Sequence, residues 1–341
     1  MITTARAFLL GLLIIFLAAC SSPTPLATRT ALLGIERIAD TQTPETSHRP
    51  KETTSPTRFA SLEANVPTWP ASKTPLATSI PPTSSLASPT PRPTLGPESW
   101  KDLPVVPPIS DHVTEIFLRG LAAGNNPGAF SKIGDCGSTP GWFLGDFDRG
   151  PRYYDLGDYT QLSPVIEEFQ GSYDRASLAA RSGFNASALF VPLWSDRTYC
   201  QAGEMPLACE YRVHKPSIAF IMLGTNDVWH PEEFEPQMRR IIEFSIDHGV
   251  IPILATKADN QEGDHNINAT IARLAWEYDI PLWNFWAATE PLPNHGLQED
   301  KVHLTWGSTM FDDLEAMKKA WPVRNLTALQ VLDAVWRKVA L

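Results

Sequence analysis

Hydrophobic positions fall into three regimes along the chain. Residues 8–17 are apolar apart from Gly11. From there to about residue 102 no period survives, and apolar residues are scattered among Pro, Thr, Ser and Ala. Beyond residue 104, short apolar runs alternate with stretches in which apolar residues recur every three or four positions. The runs read as strands, at 129–133, 217–223, 250–255 and 281–285. After Ser217 the second of them has no polar residue, as expected of a strand covered on both faces of a parallel sheet. The periodic stretches read as helices. Ser110 and Asp111 can cap one that runs through Ala123, with Val113, Ile116, Phe117 and Leu121 on one face. Others are predicted over 159–169 (ending at Gly171), 231–248, 266–278 and 328–339; the stretch at 231–248 opens on Pro231 with acidic residues behind it, a helix-start signal. Alternating strands and helices predict a three-layer α/β/α sandwich around a mostly parallel central sheet.

Composition gives the first two regimes their meaning. The chain holds 31 prolines, concentrated between Cys20 and Trp100. A segment so rich in Pro, Thr and Ser cannot bury enough apolar surface to offset the entropy of ordering, so residues 20–102 are expected to be a disordered tether. At flexible-coil dimensions it would reach about 50 Å. The apolar run before it, with Arg6 on its flank, is too short to span roughly 30 Å of hydrocarbon and reads as an export signal over residues 1–19. Its end, Leu17-Ala18-Ala19-Cys20, resembles the lipobox of bacterial lipoproteins, which implies cleavage before Cys20 and lipidation of that cysteine. An exported protein of the bacterial cell envelope, held to the membrane by lipid at Cys20, is the expected location. The folded part is then 103–341, about 240 residues, a size suited to one α/β domain.

The formal net charge of -10, with no Lys/Arg run, argues against a nucleic-acid partner. Asp264-His265 and His295 lack metal-ligand spacing, so no metal is predicted, and nothing calls for a cofactor. Chemistry gathers instead in four short blocks. Gly134-Asp135-Cys136 follows the first predicted strand, presenting a thiol at the carboxyl end of a parallel strand, where open α/β sheets place their sites. Ser182-Gly183 lies in a polar stretch. Gly224-Thr225-Asn226-Asp227 follows the strand at 217–223, and Asp300-Lys301-Val302-His303 precedes the last helix.

In order and spacing these blocks resemble those of the SGNH/GDSL hydrolase superfamily, across essentially all of residues 104–341. The resemblance implies a flavodoxin-like fold and acyl transfer by nucleophile, base and orienter with an oxyanion hole. Carried over residue by residue, Cys136 is the nucleophile, His303 the base and Asp300 its orienter. The oxyanion donors are the backbone amides of Cys136 and Gly183 and the side-chain amide of Asn226. The chain departs from the family at two places: Cys136 stands where the family has serine, and Leu304 where it usually has proline.

The cysteine count bears on the first departure. Cys200 and Cys209 flank a short loop and can pair in an exported protein, which leaves Cys136 as the odd thiol. Beside a histidine and at a helix N-terminus its pKa would fall, bringing the thiolate within reach near neutral pH. The leading expectation is a monomeric, lipid-anchored ester hydrolase acting on a small-molecule or polysaccharide ester. The alternative is an SGNH-fold binding module that no longer turns over. Trp142, Trp194, Trp229, Trp283, Trp286 and Trp306 make the domain aromatic-rich and offer stacking surfaces for sugar rings, though core packing is the commoner role of Trp.

Overall fold

A computed structural model describes residues 94–340; the predicted signal, Cys20 and nearly all of the tether lie outside the described residues. Among the described residues six strands form: β1 (Asn126–Gly134), β2 (Tyr154–Asp155), β3 (Pro216–Met222), β4 (Ile251–Ala255), β5 (Leu282–Trp283) and β6 (Thr309–Met310). Eight α-helices accompany them: α1 (His112–Ala123), α2 (Asp146–Arg149), α3 (Ser163–Glu168), α4 (Pro206–His214), α5 (Pro231–Asp247), α6 (Asn266–Glu277), α7 (Phe285–Thr289) and α8 (Ala320–Val339). The central sheet is all parallel, ordered β1-β3-β4-β5. Helices α4, α5 and α6 pack along one side, and α1, α3, α7 and α8 gather on the other. The fold is the predicted three-layer sandwich.

The apolar runs explain the sheet. All seven residues of β3 and all five of β4 are buried, because helices cover both faces. Phe220 of β3 is a hub, meeting Phe130, Phe143 and Trp283 edge-on at 5.5–6.0 Å. The carboxyl ends of the four parallel strands lie along one edge of the sheet; those of β1, β3 and β4 lead into polar loops, and β5 passes through Asn284 directly into α7.

Several boundaries differ from the sequence reading, each for a physical reason. Leu121 is exposed, and Gly120 is the buried residue of α1's last turn; a Cβ at Gly120 would stand 2.1 Å from the Gly249 carbonyl oxygen. The helix predicted over 159–169 is a 3-10 segment, Gly157–Leu162, with a break at Tyr159, followed by the short α3. Helix α8 begins eight residues before 328. Its opening turns carry buried Arg324, Asn325 and Thr327, which hide the apolar period. The folded unit also takes in residues ahead of 103. Trp100 is buried against Trp286, ring centroids 4.9 Å apart, and its carbonyl accepts from Asn284 Nδ2 at 3.0 Å.

No helix among the described residues is long and apolar enough to cross a membrane. Cys200 and Cys209 form a disulfide.

Candidate active site

The site is built at the carboxyl ends of the strands. β1 ends at Gly134, where only glycine fits: a Cβ would lie 2.3 Å from the Met222 carbonyl oxygen on β3 and 2.3 Å from Ser138 Oγ. The chain then turns sharply. Asp135 Oδ1 accepts from Gly137 N at 2.9 Å, Ser138 N donates to Asp135 O at 3.0 Å, and Thr139 caps the Cys136 carbonyl through Oγ1 at 2.8 Å. Cys136 sits partly buried on this turn, outside the disulfide. Only a three-residue 3-10 turn, Cys136–Ser138, follows, so the helix N-terminus invoked to lower the thiol's pKa is not there. Pro140 soon behind it and two nearby glycines leave no helical continuation.

The second block is stitched to the end of β1. Gly134 N donates to Ala179 O and Arg181 N to Gly134 O, both at 3.1 Å, extending the sheet edge by an isolated parallel bridge to Ala180. Gly183 follows with φ +81°, a left-handed conformation that side chains disfavour, and open space where a Cβ would point. No side chain covers the Gly183 backbone on that side.

The third block grips the second. Asn226 Nδ2 donates to Phe184 O at 2.9 Å, which engages one of its two N–H bonds. Asp227, 4% exposed, accepts from Ala186 N at 2.9 Å and from Gly224 N at 3.0 Å. Burial pushes its carboxyl up to about 6, against the pull of those two amides. Gly183 and Asn226 are therefore held on one rigid unit.

In the fourth block, Asp300 Oδ2 lies 2.6 Å from His303 Nδ1, while Oδ1 accepts from the backbone N–H of Val302 and of His303, each at 3.0 Å. Burial works to raise the Asp300 pKa, but these hydrogen bonds outweigh it and hold the carboxyl below its ordinary value. A carboxylate at Nδ1 fixes the proton there and leaves Nε2 as the basic nitrogen. The loop is close enough to the Asp135-Cys136 turn for His303 to lower the Asp135 pKa, against a rise driven first by burial.

Two groups went unnoticed in the sequence. After β4, Lys257 Nζ donates to Asp259 Oδ1 at 2.7 Å and to Glu262 Oε2 at 2.6 Å, all three side chains less than a tenth exposed. Asp259 Oδ2 accepts from Thr225 Oγ1 at 2.8 Å, and Gln261 Nε2 donates to Lys301 O at 2.9 Å. The buried ionic cluster thus holds the Asn226 loop through Thr225, and an exposed bond from the neighbouring Gln261 reaches the His303 loop. A Lys-Ala-Asp run straight after a buried strand was the signal, mirroring Gly-Thr-Asn-Asp after β3. The second missed group is Arg324 of α8, which donates to Gly137 O at 2.7 Å.

Among the described residues, one set of metal-type donors converges: Cys200, Glu204 and Cys209. Both sulfurs are in the disulfide and Glu204 is held by Arg212 at 2.7 Å, so those donors are engaged.

No family model matches the chain, and no curated protein matches it. Solved structures that resemble it include a GDSL-like lipase from Bacteroides thetaiotaomicron, 14% identical, covering 65% of this chain and 98% of that one, TM-score 0.38. Another is a catalytic mutant of Axe2, an acetylxylan esterase from Geobacillus stearothermophilus, 16% identical, covering 61% of this chain and 94% of that one, TM-score 0.38. Function has to come from the side chains themselves.

Proposed function

We propose that this chain is an ester hydrolase of the SGNH/GDSL type with Cys136 as nucleophile. The observation that carries the reading is the Asp300–His303 pair, its tautomer fixed by a 2.6 Å contact, on a loop near enough for His303 to act electrostatically on Asp135. The Cys136 sulfur, its proton already passed to His303 Nε2, attacks the ester carbonyl carbon. The resulting oxyanion is met by the backbone N–H of Cys136 and of Gly183 and by the remaining N–H of Asn226 Nδ2. His303 returns the proton to the leaving alcohol as the carbon–oxygen bond breaks, giving a thioester. A water then loses a proton to His303, its oxygen attacks the thioester, and the carbon–sulfur bond breaks to release the acid and restore the thiolate beside the protonated His303.

The substrate proposed is an acylated small molecule or carbohydrate. Trp229 and Trp306 support it: they are 73% and 68% exposed, one in the loop that carries Asn226 and the other in the loop that carries His303. Indoles so placed can stack on sugar rings beside the cleft. The envelope location rests on the lipobox-like sequence at Cys20.

The test offers short-chain aryl esters to the purified domain, to Cys136→Ala and to Cys136→Ser. Turnover by the parent that Ala abolishes supports the hydrolase. A silent parent that gains activity with Ser points instead to a displayed binding module. For the anchor, Cys20→Ala should release soluble protein, and continued membrane retention would overturn lipidation.

A further inference from the structure

Arg324 lies directly beneath the nucleophile turn. The residue is 8% exposed, and its guanidinium stacks over Phe143, Trp321 and Phe285 at 4.8, 5.1 and 5.6 Å from their ring centroids. Its acceptors are Gly137 O at 2.7 Å and Met222 Sδ at 3.2 Å, neither of them charged, and Nε is buried with no partner. Nη1 would stand 3.1 Å from a Cβ on Gly137, so that glycine lets the cation come close. A desolvated cation held by aromatic faces and a carbonyl dipole is costly unless negative charge lies near it.

Two groups can supply that charge, Asp135 and Cys136, and both act on Arg324 electrostatically. Burial lowers the arginine to about 10, which still leaves it charged at neutral pH. Burial also raises the Asp135 pKa, weakening the carboxylate as a counter-ion. The other ionisable groups around the turn are His303 with Asp300, on the loop before α8, Asp259, whose charge is taken up by Lys257, and Asp227, whose ionisation Asp135 opposes.

We propose that Arg324 is a positioning residue whose buried charge holds Cys136 as a thiolate, doing for the sulfur what a histidine alone does for a serine. The proposal rests on Cys136 being the nucleophile position but not on ester turnover. It also gives sulfur a physical reason at position 136. A thiol ionises near pH 8.5, within reach of one neighbouring cation, whereas a serine hydroxyl ionises far higher and would gain little ground-state anion from the same charge.

The experiment measures iodoacetamide alkylation of Cys136 against pH in the full chain, read by peptide mass spectrometry so that Cys20 does not contribute. The parent should show a midpoint at or below about 7.5, a unit under the ordinary thiol. Arg324→Lys keeps the charge and should keep most of that shift. Arg324→Gln keeps a donor for Gly137 O without the charge. It should raise the midpoint by one unit or more and slow alkylation at pH 7 by about tenfold. His303→Ala should leave the midpoint below that of an ordinary thiol. A parent midpoint near 8.5 overturns the proposal, as does equal behaviour of the Lys and Gln variants. So does a return to 8.5 in His303→Ala, which would assign the whole effect to the imidazole and does not depend on Arg324 variants folding. Alkylation needs no ester, so a chain inactive on esters yet showing this pattern would sink the hydrolase reading and leave the thiolate.

Discussion

At the scale of single residues, the site depends on which atoms a carboxylate can accept from. Asp300 receives three donors, one imidazole and two backbone amides. Asp300→Asn would turn one acceptor into a donor and favour the imidazole tautomer with its proton on Nε2, where the base is needed. In the serine triad the equivalent change lowers kcat by about 10⁴-fold with geometry intact. A loss of that order, with folding unchanged, is expected here in aryl ester assays; less than tenfold would deny Asp300 the orienting role. Asp227 plays a different part. It touches no reacting atom in the proposed chemistry, yet it holds Ala186 N and Gly224 N at once. Asp227→Asn sets an NH₂ group against one of those buried amides and should cost about 1–3 kcal/mol of stability, measurable by urea unfolding. Asp227 was legible because it stands in a short polar block right after an apolar run, whereas Asp300, in a polar loop, was legible only through the resemblance of its block. The sequence hid Arg324, whose neighbours Asn325 and Thr327 look like ordinary helix-surface residues.

Elements were legible to the degree that burial is two-sided. β4 is apolar throughout and β3 is apolar beyond Ser217, and both stand almost where their runs predict. β5 shrinks to two residues because Asn284 leaves the ladder to bind Thr256 Oγ1, Trp100 O and Leu103 O. α8 was foreshortened because its first two turns bury polar side chains that serve other parts of the chain: Asn325 Oδ1 takes Leu144 N, and Arg324 takes Gly137 O. Such contacts link residues more than 180 positions apart, and no local period encodes them. The loop after β4 shows the same principle with charge. Lys257→Met would leave Asp259 and Glu262 buried without their cation, a loss of about 3–5 kcal/mol by analogy with broken buried pairs. Because Asp259 also holds Thr225, ester turnover should fall alongside stability. Glu262→Gln, which keeps Lys257 paired with Asp259, should spare turnover. Equal damage from both changes would show that the network serves stability alone.

Across the whole molecule, buried ionisable groups shape the dependence of stability on pH. Lys132 is fully buried in β1, donating to Tyr173 O at 2.6 Å. Burial first, then Arg175, lowers its pKa from 10.5 to about 7, against the opposing pull of Asp174, Asp148 and Glu210. A base with a depressed folded-state pKa binds fewer protons folded than unfolded between those values. Stability is therefore fully relieved of its cost above about 10.5 and loses that relief as pH falls through 7. Tyr173 and Tyr211 act in the opposite sense. Burial raises both, so their contribution is intact below 10 and declines at higher pH. Resistance to urea should accordingly rise from pH 7 to pH 9, by about 2 kcal/mol if Lys132 alone is counted. The measurement belongs in a Cys136→Ala background, since a thiol with a lowered pKa would add a slope of the same sign over the same range. Lys132→Met in that background should flatten the rise, whatever it does to stability at any one pH by removing the donor to Tyr173. A slope that survives the substitution would place the titrating group elsewhere in the core.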